Sequence, residues 1–208
     1  MRPTTSIQKD SEGFHELRLR GAFEHPHWMA HLLSNLSEAH VSVVSGQACQ
    51  MEDSCWDARL TLDFRSSTAT PEVLDFVAMA QRRSAAVDWS PPQVSQFLIT
   101  RRRDQQIELL VEGPDQIGFL SRLLTKVSVL GLFPSELEIN TVAGQIRDRL
   151  VLRGITAMGP TRTVQSALEA VFRLMRSSTP ASPEVLRTAG SGTRGVPARD
   201  ARDDHRLR

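Results

Sequence analysis

The chain repeats itself. Its patterns recur at a displacement of about ninety residues, which marks a duplicated unit and limits the fold to two similar modules in series. Shifting the first half by that displacement sets Glu24 on Asp115, Trp28 on Phe119, Met29 on Leu120, Leu32 and Leu33 on Leu123 and Leu124, and Asp57 on Asp148. A one-residue adjustment sets Arg59-Leu60-Thr61-Leu62 on Arg149-Leu150-Val151-Leu152. Half of a 208-residue chain is a small module, so docking or dimerisation is expected to help bury each sheet.

In the first unit, residues 14–20 read as a strand, and Met29, Leu32, Leu33 and Leu36 form the i, i+3, i+4, i+7 stripe of a helix. Residues 41–48 and 58–64 follow as strands around the polar turn Glu52-Asp53-Ser54. In the latter strand Ala58, Leu60, Leu62 and Phe64 alternate with Arg59, Thr61 and Asp63, which predicts one buried and one wetter sheet face. Thr70-Pro71 opens a second helix, with Thr as cap and Pro at the first helical position, carrying Val73, Leu74, Val77 and Gln81 along one side. Pro91-Pro92 stops any continuation, and residues 97–100 supply a fourth strand before the Arg101-Arg102-Arg103-Asp104 crossover. The order is βαββαβ.

The second unit retraces it with a strand at 107–112, a helix at 117–130, strands at 136–142 and 145–153 joined by Ala143-Gly144, and a helix through Val164, Leu168, Val171, Phe172 and Met175. Glu136 and Glu138 project opposite to Leu137 and Ile139, and Arg147, Arg149 and Arg153 share a period on the next strand. Cross-strand ion pairs are expected there, adding little stability because they are exposed. After Arg176 the composition turns to Ser, Thr, Pro, Gly, Arg and Asp, too poor in apolar residues to offset ordering entropy, which predicts a disordered C-terminal tail. Val185-Leu186 is then the one weak candidate for a closing fourth strand. The domain bounds that follow are 11–104, 105–178 and a tail at 179–208.

Composition excludes several function classes. A formal net charge of +1 lacks the basic field of a protein that binds nucleic acid through phosphates. The start has no apolar h-region, and no segment approaches the eighteen or so apolar residues of a membrane span, so no membrane partner and a cytoplasmic location are expected. In that compartment Cys49 and Cys55, which flank the Glu52 turn, are expected to stay thiols. No nucleophile elbow or Walker loop is present, so no catalytic residue and no cofactor are assigned. His25, His27 and His31 form HxHxxxH, chemically able to ligate zinc, but Pro26 intervenes and no carboxylate or thiol completes a site; a solvated loop without metal is expected. The run from Gly190 to Gly195 matches G-x-G-x-x-G, yet low-complexity sequence precedes it and Val196-Pro197 follows, so it lacks the strand and helix that a dinucleotide site needs. Arg101 to Arg103 lack nearby aromatics and read as a solvated strand end.

The stretch 107–124 remains. There a strand-like apolar run meets Gly-Pro-Asp, then a glycine, then leucines at helical spacing, so backbone amides and a carboxylate converge where strand becomes helix. Such a junction suits a small zwitterion.

On Asp115-Gln116-Ile117-Gly118-Phe119-Leu120, Leu130-Gly131-Leu132 and Asp148-Arg149-Leu150-Val151-Leu152, the second unit resembles the ACT domain, a βαββαβ ligand-binding module of amino-acid-responsive enzymes and regulators. The first of these runs matches the family's D-x-x-G-x-L turn, and the resemblance covers about residues 107–175. The tandem arrangement resembles the paired ACT domains that end bacterial nitrogen-sensing uridylyltransferases, here without the catalytic portion. The resemblance implies an α+β fold of two tandem ferredoxin-like βαββαβ units, with antiparallel sheets and helices on one face. It implies a non-enzymatic regulatory protein that binds an amino acid where the first strand-to-helix turn of one domain meets a partner domain. That partner is the other half of an intramolecular pair or a second chain of a homo-oligomer, and an effector protein reads the outcome.

At this site Gly118 lets a ligand approach the backbone, the helix N-terminus attracts its carboxylate, and Asp115 receives its ammonium group. The competing account is that Asp115 only caps the helix and Gly118 only permits tight packing. In the first unit Glu24-His25-Pro26-His27-Trp28 replaces the turn and puts His27 at the glycine position, where its ring is expected to obstruct a ligand. Two rival functions stand beside amino-acid sensing. One is a ligand-free dimerisation or protein-interaction module; the other is a small acyl-phosphate hydrolase, for which the first-strand loops lack an Arg-containing phosphate cradle.

Overall fold

A computed structural model describes residues 1–51, 55–83, 90–155 and 159–177. The Glu52-Asp53-Ser54 turn, Val185-Leu186, the 190–195 glycine run and the tail lie outside the described residues.

The fold is α+β. The strands are β1 (Thr4–Lys9), β2 (His15–Ala22), β3 (Ser42–Gln50), β4 (Cys55–Asp63), β5 (Gln96–Arg101), β6 (Ile107–Pro114), β7 (Leu132–Val142) and β8 (Gln145–Gly154). The helices are α1 (Trp28–Glu38), α2 (Phe76–Gln81), α3 (Phe119–Val129) and α4 (Arg162–Ser177). All strands join one eight-stranded sheet in the order β1-β2-β4-β3-β7-β8-β6-β5, with every pairing antiparallel. No helix among the described residues is long and apolar enough to cross a membrane.

Alternation explains the strands. Trp56, Ala58, Leu60 and Leu62 on β4 and Ile146, Leu150 and Leu152 on β8 turn inward, where the helical stripes Met29, Leu32, Leu33, Leu36 and Leu120, Leu123, Leu124, Val127 cover them. These residues belong to one continuous hydrophobic cluster that draws on both halves of the chain. The opposite sheet face is charged. There Arg149 bridges Glu138 at 2.9 Å and Glu136 at 3.2 Å, two of the cross-strand pairs the alternation predicts, and also Glu108 of β6 at 2.6 Å.

The two halves meet through β3 and β7, paired from Ser45↔Asn140 to Cys49↔Glu136 with Gln47 opposite Glu138 at the centre. Gln47 and Glu138 are 91 positions apart, as are Trp28 and Phe119 at the starts of α1 and α3. The strand order therefore reads alike from either edge.

Two expectations need correction, and one strand gave no sign in the sequence. The strand at 97–100 does not close the first unit, because β5 pairs with β6 and forms the far edge of the second half. The corresponding edge beside β2 is taken by β1, whose sequence TTSIQK has a single apolar residue and no alternation to betray a strand. The helix expected from Thr70 is a single 3-10 turn, Pro71–Val73, in which Thr70 makes no side-chain cap bond and Val73 is 72% exposed. The chain restarts as α2 because Asp75 accepts a hydrogen bond from Ala78 N at 2.9 Å, so Phe76 and Ala80 are its buried face.

Candidate functional site

β6 ends at Gly113-Pro114, and the chain turns through Asp115, Gln116 and Ile117 into α3. Gly118 is the N-cap of that helix in the left-handed conformation, φ +78°, which a residue with a Cβ adopts at a cost. A Cβ here would also lie 2.7 Å from Ser37 Oγ of α1. The turn is closed by Phe119 N donating to Gln116 O and by Ser121 Oγ donating to Gly118 O, both at 2.9 Å. It is tied to the β7–β8 hairpin by Asp115 N donating to Gly144 O at 2.9 Å. The N-cap of α3 is Gly118 itself, and its close neighbour is Ser37 of α1 rather than a strand.

All six expected residues, Asp115 to Leu120, line one cleft of about 40 Å3 at the seam between the halves. Leu33 and Ser37 of α1, Val41, and Ser42 and Val43 at the start of β3 form the opposite wall. Ile139 and Thr141 of β7 and Ile146 and Asp148 of β8 form the floor. Gln116 is held by Arg122, whose Nη2 donates to Oε1 at 3.1 Å, and Phe119 and Leu120 are buried in the core, so their part in the lining is mainly to shape it.

Sequence reasoning missed Asp148 as a site residue. It is only 3% exposed and faces inward in phase with Ile146 and Leu150. Asn140 N donates to its Oδ1 at 3.2 Å. Burial pushes its pKa up to about 7; the Asn140 amide opposes that shift, and the charge of Asp115 adds to it. Beside it, the Thr141 hydroxyl oxygen is buried without a hydrogen-bond partner. The signal was available: a carboxylate occupies the apolar phase of an alternating strand.

The equivalence of Asp57 with Asp148 is also corrected. Leu17 faces Leu60 and Leu19 faces Ala58, as Leu109 faces Leu150 and Val111 faces Asp148. Ala58 therefore stands where Asp148 does. Asp57, one residue earlier, lies on the outer sheet face beside Arg59 and Glu136.

The first half has its own version of the cleft, between Pro26, His27, Met29 and Ala30 and the wall Leu124, Ser128, Leu132, Phe133 and Pro134. This wall lies 91 positions after Leu33, Ser37, Val41, Ser42 and Val43. His27 is the N-cap of α1, the position Gly118 holds in α3, and its ring meets Phe133 edge-on at 5.0 Å. Only about 10 Å3 remains, and among the described residues no carboxylate lines it.

His27 and His31 stack at 6.1 Å, and burial followed by the neighbouring charged groups lowers the pKa of each. Among the described residues no group of three or more His, Cys, Asp or Glu is arranged to hold a metal ion. Cys49 and Cys55 are free thiols, opposite Asp57 and Ala22 respectively. Arg101 donates to Pro160 O, and Arg102 pairs with Asp104 and Glu136 at 3.4 Å, so these two arginines are engaged within the fold, while Arg103 is exposed.

Comparison with family models, curated proteins and solved structures finds no match to this chain.

Proposed function

We propose that this chain is a non-enzymatic regulatory protein of two tandem ACT-type, ferredoxin-like units, which senses a free amino acid in the cleft between the Asp115–Leu120 turn and the α1–β3 wall. The observation that carries the reading is the position of this cleft. It lies where the first strand-to-helix turn of one half meets the neighbouring half, the place that the ACT resemblance assigns to a ligand. First-turn amides of α3 offer a carboxylate the positive end of an 11-residue helix, and Asp115 offers an ammonium group its counter-charge.

The size of the cleft suggests how occupancy is passed on. About 40 Å3 holds roughly three water molecules at ~10–15 Å3 each, so a ligand enters only as the α3 turn and the α1 wall part. Because the walls belong to different halves, binding favours an altered seam in proportion to the difference in affinity between the two arrangements. A cytoplasmic effector protein or a second copy of the chain reads that change.

The same small volume favours a second reading, a ligand-free interaction module whose cleft is only a packing seam. Thermal-shift measurement of the full chain against the twenty amino acids, followed by calorimetry, separates the two. The sensing reading expects one or a few stabilising ligands, with binding weakened by Asp115→Ala and lost in Gly118→Leu. No stabilisation by any amino acid would sink it in favour of the ligand-free module.

A further inference from the structure

We propose that the cleft selects its ligand by the ammonium group, received jointly by Asp148, Asp115 and the Thr141 hydroxyl, and so takes small primary amines of the glycine, alanine and serine class while rejecting their hydroxy-acid counterparts. This rests on the amino-acid reading and adds to it the recognising residues and the ligand class. Asp148 is buried, with one carboxylate oxygen bonded to Asn140 N; no other described partner is assigned to it, and it lines the cleft floor. The Thr141 oxygen beside it is buried and unpartnered. Buried polar groups are normally satisfied, and a donor-only ammonium group satisfies both a carboxylate and a hydroxyl lone pair. Among the described residues Asp115 and Asp148 are the only ionisable ones in the lining; α1, β3 and β7 contribute none, and Arg122 of α3 reaches the lining residue Gln116 at 3.1 Å. A group bearing negative charge alone therefore meets two carboxylates, and among the described lining residues no side-chain cation. The closed cleft of about 40 Å3 favours the ligands that require the least parting of its walls, hence small side chains.

A proton accompanies this recognition. With its pKa raised to about 7, Asp148 is largely protonated in the empty cleft at pH 6, and an arriving ammonium favours its ionised form. Binding thus expels a proton at pH 6 and expels almost none at pH 8.5, so affinity rises with pH across that interval.

The test is titration calorimetry of the full chain at pH 6 in two buffers of different ionisation enthalpy, with glycine, L-alanine and L-serine paired against glycolate, L-lactate and L-glycerate. The amines are expected to bind with proton release and the hydroxy acids not to bind. Asp148→Asn, which retains an acceptor for Asn140 N, is expected to weaken amine binding about ten-fold or more and to abolish proton release. Equal binding of L-alanine and L-lactate overturns the selection. So does unchanged affinity and proton release in Asp148→Asn, while both results leave the amino-acid cleft standing. Binding of L-leucine with none of the three small amines removes the size limit. Absence of binding by every amino acid removes the cleft reading and this inference together.

Discussion

Asp148 is a charged residue type in an apolar position, and it makes stability depend on pH in an unusual direction. An aspartate in the unfolded chain ionises near 3.8, whereas folded Asp148 holds its proton to about 7. Between those values the unfolded state loses a proton that the folded state keeps, so this group's contribution falls as pH rises through the window and then levels off. The Asp148→Asn variant escapes the effect and is expected to gain on the wild type from pH 4 upward, by on the order of 4 kcal/mol near pH 8. Urea unfolding of both proteins across that range measures it, and a constant difference would refute it. At Gly118 two costs combine, the left-handed backbone and the 2.7 Å approach to Ser37 Oγ. Gly118→Ala is expected to lose about 1–2 kcal/mol through the backbone alone. Adding Ser37→Ala relieves the contact and leaves that loss in place, so full recovery in the double variant would disprove the backbone account.

Among the elements, α2 has the sharpest local cause. It spans only Phe76–Gln81, and its N-cap bond comes from Asp75, while the preceding turn at Pro71–Val73 has no side-chain cap. Asp75→Ala is expected to cost about 1 kcal/mol, and Thr70→Ala to stay within about 0.5 kcal/mol of the wild type. Thermal denaturation of the two variants makes the comparison, and equal losses would contradict the assignment. The edge strands behave differently. β1 and β5 have no local signature as strong as that of β4 or β8, and they hold their places through antiparallel pairing with β2 and β6. Each is the outer arm of a short hairpin, Lys9 opposite His15 and Arg101 opposite Ile107, so its place at a sheet edge comes from the neighbouring strand in the chain.

For the whole molecule, the decisive contact is β3 with β7. It turns two small sheets into one, and the hydrophobic cluster beneath runs without a break from Leu17 and Trp28 to Leu152 and Phe172. Cooperative unfolding follows when no part of a core can be exposed without the rest. The full chain is therefore expected to unfold in a single transition, with far-ultraviolet and near-ultraviolet circular dichroism coinciding. Two resolved transitions would mean that the halves are held by the seam only weakly. An amino acid in the cleft adds contacts to both sides of this seam and should raise the midpoint of that one transition.

The sequence by itself determined what depends on neighbours along the chain. The duplication, the inward phase of Leu60 and Leu150, the helical stripes of α1 and α3, and the Asp115–Leu120 turn with its glycine were all legible because periods of 2 and 3.6 are local properties. What the tertiary structure alone decided was partnership and facing. By pattern alone residues 96–101 can either close the first half or fold back across the 102–106 turn onto β6, and the fold selects the hairpin. The alignment of Asp57 with Asp148 failed for a related reason. Side chains alternate on a strand, so a displacement wrong by one residue moves a group from the cleft floor to the outer face. The one-residue adjustment needed to align Arg59 with Arg149 already belonged to the whole strand. Only the register of β8 against β6 and β7 fixed it, and that register is what carries a buried carboxylate to the cleft.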